Sequence, residues 1–423
     1  MVLKGNIVFN KSVSEFEVYE NGYLVYNDGV VVGVYKELPA EYANDTIEDY
    51  GNKIIIPGLV DTHIHAPQYT FRGLKMDLEL LPWLNSYTFP EESKYTDLEY
   101  AKKAYGIFVN NLKKSATTRA VVFATMHRPA TVLLMDMLEE AGLATMVGKV
   151  NMNRNSPDYL CETTEESLSE TRKWIEEVAA KGYKNTQAIL TPRFTPTCTD
   201  ELMAGLAELK KEFDLPVQSH LSENPGEIAW VAELCPWSKN YGDAYDHFGM
   251  FDNKTVMAHC VHSPEEEIDV MAKNGVFVSH CPESNINLTS GVAPIRKYLE
   301  RGVNVGLGSD VAAGSTENMF AAMHYAIQAS KMRCRMLADE KATLTAAEAF
   351  YLATEGGGAF FGKVGSFKPG FEMDAVVLDD SRLTHPAPET LSPEDRLERM
   401  IYFSDDREIA AKYVKGVKMY AGE

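Results

Sequence analysis

Between residues 59 and 310, short apolar segments alternate with amphipathic stretches, and this alternation constrains the fold more than any other feature of the sequence. Strands that alternate with helices are typical of a parallel sheet, because each crossover helix returns the chain to the edge from which the next strand starts. We predict eight strands, at residues 59–65, 121–127, 145–150, 188–194, 217–223, 255–259, 276–280 and 303–310. Helices are predicted at residues 163–181, where Thr163 and Glu166 form a capping box, and at residues 200–213 and 345–361.

Eight β/α units in about 250 residues predict an α/β fold of the (β/α)8 TIM-barrel type, here over residues 58–364, with functional groups where the strands end. Residues 1–57 lack a helical period. Residues 1–57 contain short apolar segments and the hairpin signal Asn27-Asp28-Gly29, and residues 367–378 return to a turn followed by a strand. We therefore predict a small β-sandwich-like domain built from residues 1–57 and 365–423.

The net charge indicates which binding partners to expect, and the cysteine content indicates the redox state of the cellular compartment. The chain carries 61 acidic and 41 basic residues, a net charge of -20, and has no block of Lys and Arg, so nucleic acid is not an expected partner. Its six cysteines form no CxxC pair, which favours reduced thiols. We find no signal peptide at the amino terminus and no run of roughly 18 apolar residues. The expectation is a cytoplasmic protein without a membrane partner.

Histidines cluster at the ends of the predicted strands. Six of the ten histidines lie at or near such an end, namely His63, His65, His127, His220, His259 and His280. Side chains two residues apart on a strand point to the same face, so His63 and His65 can present their imidazoles to one point. A single histidine there would more often be structural. Taken together, the six predict a metal site.

The predicted metal ligands are His63, His65, His220 and Asp310, a set of three imidazoles and one carboxylate. Such a set binds zinc at about 2.0–2.2 Å and leaves a position for water, whose pKa the cation can lower to about 7. One Zn²⁺ per chain is expected, although Fe²⁺ or manganese would accept the same ligands. Glu223 is the predicted general acid and base, and His259 is predicted to orient the metal water or hold the developing oxyanion.

The remaining histidines and two aromatic residues have weaker interpretations. His127 and His280 either fix the orientation of a ligand or simply pack in the core. His262 is a weaker candidate for either role. Trp83 and Phe89 either form aromatic walls for a flat ligand or belong to the core. We interpret three further histidines as surface or structural residues: His247, His324 and His385.

The residues at these positions resemble the amidohydrolase superfamily and, within it, the branch that deaminates guanine. The HxH motif of His63 and His65 is typical of the superfamily, whereas Gln68, the pair Arg193-Phe194 and residues 220–223 point to the guanine branch. The resemblance covers nearly the whole chain, at residues 57–69, 81–90, 191–194, 218–223, 255–259, 280–285 and 306–312.

The resemblance implies an enzyme of purine catabolism, a homodimer that hydrolyses guanine to xanthine and ammonia with a zinc-activated hydroxide. It assigns the zinc-ligand role to the four residues named above and the proton-shuttle role to Glu223. The catalytic residues would be Glu223, His259 and Asp310, and the purine would lie against Gln68, Arg193, Phe194, His220, Glu223 and Asp310. Arg193 offers a planar fork of donors to a carbonyl-bearing ring, and Gln68 can both donate and accept.

Two alternatives stay open. The same metal machinery could act on another heterocycle, as in other aminohydrolases or triazine chlorohydrolases. The chain could also be a non-catalytic scaffold, but such proteins usually lose metal ligands, and none is missing here.

Overall fold

The computed structural model describes residues 1–422. Seventeen strands lie in this part of the chain: β1 (Val2–Ser12), β2 (Glu15–Asn27), β3 (Val30–Tyr35), β4 (Ile47–Pro57), β5 (Leu59–His65), β6 (Thr117–Phe123), β7 (Ala144–Gly148), β8 (Val150–Asn151), β9 (Thr186–Ala188), β10 (Thr191–Pro192), β11 (Val217–Leu221), β12 (Thr255–His259), β13 (Phe277–His280), β14 (Asn304–Leu307), β15 (Ala375–Leu378), β16 (Ile409–Val414) and β17 (Val417–Ala421).

Helices connect and cover the strands. They are α1 (Leu80–Trp83), α2 (Phe89–Glu92), α3 (Leu98–Lys114), α4 (Arg128–Ala141), α5 (Thr164–Lys181), α6 (Asp200–Phe213), α7 (Pro225–Leu234), α8 (Asp243–Asp246), α9 (Glu265–Asn274), α10 (Pro282–Asn287), α11 (Ile295–Glu300), α12 (Met319–Met336), α13 (Ala346–Tyr351) and α14 (Pro393–Phe403). The capping box at Thr163 is confirmed. The predicted helix 345–361 begins as α13 and continues through a π-helical turn, Leu352–Gly356. Within residues 1–422 we find no helix with the length and apolar character needed to span a bilayer.

The two ends of the chain pair in one seven-stranded sheet with the order β17-β16-β15-β4-β1-β2-β3. Strand β4 joins the two ends, because it pairs in parallel with β1 and antiparallel with β15. The margins of the sheet approach each other: the amide of Val31 donates to Phe371 O at 2.8 Å, and the amide of Gly416 donates to Met373 O at 2.7 Å. Where we predicted a small β-sandwich-like domain from the two ends of the chain, the ends form one seven-stranded sheet around a shared apolar core.

Buried polar contacts attach this sheet to the strands that follow. The ammonium of Lys412 on β16 donates to three carbonyl oxygens at 2.9–3.0 Å, those of Leu112, Ser115 and Thr117. Burial lowers the pKa of Lys412 to about 7. Arg119 on β6 donates to the buried carboxylate of Asp374. A buried cation without such partners would be strongly unfavourable. These contacts therefore fix the position of the seven-stranded sheet against residues 112–119.

Strands β5 to β14 form parallel ladders, with the orders β5-β6-β7-β9, β8-β10 and β11-β12-β13-β14. Each predicted strand overlaps an observed one, but two of them are each divided in two. Residues 145–150 become β7 and β8, separated at Lys149, and residues 188–194 become β9 and β10. Pro192 has no amide hydrogen to extend the second ladder. Strand β6 ends at Phe123, so His127 lies beyond the strand, as the residue that precedes α4.

Hydrogen bonds also link the ladders to one another. The amide of Gln218 on β11 donates to Leu190 O at 2.9 Å. At the other side, the amide of Asp310 donates to His63 O at 2.8 Å, and the amide of His65 donates to Val311 O at 3.1 Å. These contacts bring the carboxyl ends of β5, β11, β12 and β14 to a common mouth.

Candidate active site

The four predicted metal ligands meet at this mouth. His63 and His65 lie on β5, His220 lies on β11, and Asp310 follows β14. The Nε2 atom of His65 is 3.2 Å from that of His63 and 3.3 Å from that of His220. Asp310 Oδ1 is 3.2 Å from His63 Nε2 and 3.4 Å from His65 Nε2. Four donor atoms therefore point to one place, although the residues are up to 247 positions apart in the chain (63 to 310).

Two strand ends reach this mouth through unusual backbone angles. Asp310 has φ +48° and His259 has φ +74°, in the left-handed region that residues other than glycine seldom adopt. Each such residue costs about 1–3 kcal/mol and persists only where surrounding contacts hold it. Asp61 supplies some of these contacts: its carboxylate accepts from the amides of His63 and Ser309 and from the Ser309 hydroxyl.

Hydrogen bonds orient two imidazoles. The Nδ1 atom of His220 lies 2.6 Å from Arg193 O, and that of His259 lies 2.9 Å from Asn285 Oδ1. Since both partners are oxygen acceptors, Nδ1 carries the hydrogen in each ring and Nε2 is turned toward the mouth. Contacts of this kind are what fix a metal-binding histidine in place.

The protonation states at the mouth fit a divalent cation. Burial lowers the pKa of His65 and of His220 well below the ordinary value, so these imidazoles are neutral and keep a free lone pair. Burial alone would raise the pKa of Asp310, but the adjacent imidazoles of His63 and His259 lower it overall. Neutral imidazoles beside a carboxylate form the donor set that zinc and related ions prefer. His259 and Cys281 also offer ligand atoms that lie within 4.8 Å of each other and of a carboxylate oxygen of Asp310.

Glu223 and His259 lie beside the ligands. His259 Nε2 is 3.4 Å from Glu223 Oε2 and 3.7 Å from Asp310 Oδ2. The Ser290 hydroxyl donates to Glu223 Oε1 at 3.3 Å. Burial, together with the charge of Asp310, raises the pKa of Glu223 to about 8. A carboxyl group that titrates near neutral pH can both take and return a proton.

A small cavity opens at the ligands, and it contains the predicted substrate-binding residues Gln68, Arg193 and Phe194. Trp83 is a wall of this cavity. Phe89 does not line the cavity, but the centre of its ring lies 5.2 Å from the Arg193 guanidinium, which packs over it. Apolar walls with a few fixed polar groups suit a small flat heterocycle. The full lining consists of His65, Gln68, Leu80, Trp83, Leu84, Arg193, Phe194, His220, Glu223, His259, Leu288, Asp310 and Ala313.

Several polar residues near the site were not singled out from the sequence. The carboxylate of Glu92 accepts from both Gln68 and Arg193. Glu227 Oε2 accepts from the amide of Glu223 at 3.0 Å. Glu92 follows another glutamate and a Phe-Pro pair, a pattern equally typical of a solvated helix start, so no sequence signal marks it as buried.

The other histidines lie away from the convergence point. Within residues 1–422, neither His127 nor His280 donates a side-chain hydrogen bond to a predicted ligand, and each has a buried ring nitrogen without a partner, which fits the packing alternative. Burial lowers the pKa of His280 to about 3. His262 Nε2 donates to Ser290 O at 2.6 Å and so supports the loop behind Glu223. The three histidines predicted as surface or structural have other neighbours: the ring of His247 lies against Trp237, that of His324 lies against Tyr402, and His385 Nδ1 accepts from the amide of Ala387.

Comparison with known proteins shows the family to which the chain belongs. Residues 54–419 match the model of the amidohydrolase family, and the chain belongs to this family. A guanine deaminase of Dictyostelium discoideum is 38% identical to it, over 99% of this chain and 98% of that protein. A guanine deaminase of Escherichia coli (strain K12) is 37% identical, over 96% and 93%. The crystal structure of guanine deaminase from C. acetobutylicum, with guanine bound in its active site, has a TM-score of 0.95 and 48% identity, with 99% of each chain covered.

Proposed function

We propose that this protein hydrolyses guanine to xanthine and ammonia. The observation that carries the proposal is that Gln68 and Arg193 line one cavity together with three of the predicted ligands, His65, His220 and Asp310. The fourth, His63, lies directly beside them, with its Nε2 atom 3.2 Å from His65 Nε2 and 3.2 Å from Asp310 Oδ1. Relatives that are 37–38% identical over nearly the whole chain are guanine deaminases, and a similar solved structure holds guanine. The predicted metal ligands alone would be compatible with the hydrolysis of many different substrates. Their combination with donors for a carbonyl-bearing ring supports this substrate.

The cofactor we propose is one zinc ion per chain, held by His63, His65, His220 and Asp310. Such an ion lowers the pKa of a bound water and stabilises the negative charge that develops on the substrate. Fe²⁺ would fit the same ligands. The lowered pKa of His65 and of His220 supports the proposal, because these imidazoles need not lose a proton before they bind a cation.

Glu223 is the residue we propose for proton transfer. It takes a proton from the attacking water and passes it to the ring nitrogen next to the amine-bearing carbon. A carbon–oxygen bond forms, the carbon–nitrogen bond to the exocyclic amine then breaks, and the hydroxyl proton leaves with that amine as ammonia. His259 and Asp310 hold the attacking oxygen during these transfers. The distances of 3.4 Å and 3.7 Å from His259 Nε2 to the two carboxylates support this division of roles.

The purine ring is proposed to lie between Phe194 and the apolar wall that includes Trp83. Gln68 and Arg193 would bind its polar edge. Arg193 has five N–H donors and Gln68 has two, so donors remain for a ring carbonyl after the contacts that both make inside the protein.

We further propose that strands β5 to β14 form one closed (β/α)8 barrel within a domain of residues 58–364. The hydrogen bonds from Gln218 to Leu190 and from Asp310 to His63, which link the ladders, support closure. Residues 1–57 and 365–423 would form the second domain around the seven-stranded sheet. The homodimer and the cytoplasmic location stay predictions, and size-exclusion chromatography with light scattering tests the first.

A substrate panel tests the function. Metal-loaded protein is incubated separately with guanine, adenine, cytosine, 8-oxoguanine and a chloro-s-triazine, and ammonia or chloride release is measured. We expect guanine to give the highest kcat/KM, with xanthine formed in equal amount to ammonia. Preference for another ring would support the wider amidohydrolase alternative, and no turnover on any ring would support a non-catalytic scaffold.

A further inference from the structure

Glu92, the last residue of α2, holds the two side chains that we propose for substrate binding without lining the cavity itself. Its side chain is only 3% exposed. Its carboxylate accepts from Arg193 Nη1 at 2.5 Å, from Arg193 Nη2 at 3.1 Å and from Gln68 Nε2 at 3.0 Å. One buried carboxylate is thus shared by both residues.

These contacts determine which atoms face a ligand. An ionised carboxylate only accepts, so the amide nitrogen of Gln68 must point to Glu92, and the amide oxygen lies 3.3 Å from the amide of Ala312, which donates to it. The orientation of Gln68 is therefore fixed at both ends. The two-point contact fixes Arg193 as well, and the Phe89 ring supports its guanidinium from below.

The same contacts set the charge of this side of the cavity. Arg193 is always protonated, and buried without a partner it would attract anions. Glu92 balances that charge, and it does not line the cavity in which we place the ligand. What remains for the ligand is a set of N–H donors with no net charge. Such a set favours a neutral ring carbonyl over an anionic heterocycle of the same shape.

We propose that Glu92 is a positioning and specificity residue: it fixes the amide of Gln68 and balances the charge of Arg193, so that the cavity selects neutral amide-containing heterocycles and rejects anionic ones. The proposal rests on the proposed function, whose substrate is a neutral purine base. It also explains why the cavity does not bind anions even though Arg193 lines it.

Glu91 provides a matched control. It precedes Glu92 in α2 and is also buried, but its carboxylate accepts from Thr70 at 2.7 Å, from Lys94 at 2.6 Å and from Tyr100, away from the cavity. Glu91→Gln removes a buried, hydrogen-bonded carboxylate from the same helix. A purely structural role for Glu92 predicts that Glu92→Gln behaves like this control.

The test measures guanine kinetics and the binding of urate, a purine-shaped anion at neutral pH, by calorimetry. For Glu92→Gln we expect KM for guanine to rise at least about tenfold with kcat within about threefold of wild type, since a hydrogen bond to a charged group is lost. Urate should bind at least about tenfold more tightly than to wild type, with unchanged metal content. Glu91→Gln should stay within about threefold in every measurement.

Results that match Glu91→Gln, or a fall confined to kcat, would overturn the proposal. If Glu92→Gln does not fold, the double variant Glu92→Gln/Arg193→Gln carries the test, because it removes both charges. Its affinity for urate should lie within about threefold of wild type, and tenfold tighter binding would refute the charge argument. Since urate binding needs no turnover, it tests Glu92 even if wild type fails to deaminate guanine, a result that would count against the proposed function alone.

Discussion

Replacing Glu223 by glutamine should stabilise the metal-free protein at alkaline pH. Burial raises the pKa of this carboxyl from 4.5 to about 8 in the folded state. Between these pH values the folded chain keeps a proton that the unfolded chain has lost, so the free energy of unfolding falls as pH rises. Below pH 4.5 the carboxyl is protonated in both states and there is no penalty. Above pH 8 it is ionised in both, and the penalty is complete.

The structure bounds the size of this effect. The 3.5-unit gap between 4.5 and 8, at about 1.4 kcal/mol per unit, limits the penalty to roughly 5 kcal/mol. Side-chain relaxation and water entry reduce such penalties, and we expect a gain of about 2 kcal/mol for Glu223→Gln at pH 8.5. Glutamine has nearly the same shape and carries no charge at any pH, so the gain should disappear near pH 4.5.

Urea unfolding of chelator-treated protein at pH 5 and pH 8.5 measures the gain. Glu233→Gln, on the exposed side of α7, is the control and should leave stability unchanged at both pH values. In the metal-loaded form, Glu223→Gln should keep its metal and lose about 10²–10⁴-fold in kcat. An equal gain at both pH values, or none, would refute the argument from burial. A near-normal kcat would refute the shuttle role.

Two further variants test other parts of the structure. His220→Ala should lose bound metal, whereas Glu223→Ala should retain it; equal metal content in both, measured by atomic emission after dialysis, would contradict the separation of ligand from shuttle. Lys412→Met removes the donor to three buried carbonyls and should lower the free energy of unfolding by roughly 2–4 kcal/mol. The exposed Lys114→Met is its control, and equal stability of the two variants in urea would show that these contacts stabilise little.

Much of the fold could be predicted because local signals agree with the tertiary structure. Helices α5 and α6 follow from a capping residue and a steady period, and the strand ends follow from apolar segments that stop at polar residues. The divisions at Lys149 and before Thr191 could not be predicted, because they depend on which neighbouring strand is in register. The meeting of the two chain ends in one β domain was predicted, but the strand order of the shared sheet was not, because it depends on β4 pairing with both ends of the chain.

The convergence of His63, His65, His220 and Asp310 was predictable from strand periodicity and position. The groups that support them were not. Glu92 lies in the long connection between β5 and β6, where its partner depends on how that segment folds back over the mouth. Asn285, in α10, and Ser290, in the loop that follows it, likewise contact His259 and Glu223 at positions that depend on how this segment packs over the strand ends. The roles of all these residues stay proposals.

An anomalous difference map from crystals of metal-loaded protein, collected at the zinc edge and at the iron edge, tests the central claim most directly. We predict one peak per chain, about 2.0–2.2 Å from the Nε2 atoms of His63, His65 and His220 and from a carboxylate oxygen of Asp310. A peak bound elsewhere, or no peak in protein that turns over guanine, would contradict the account.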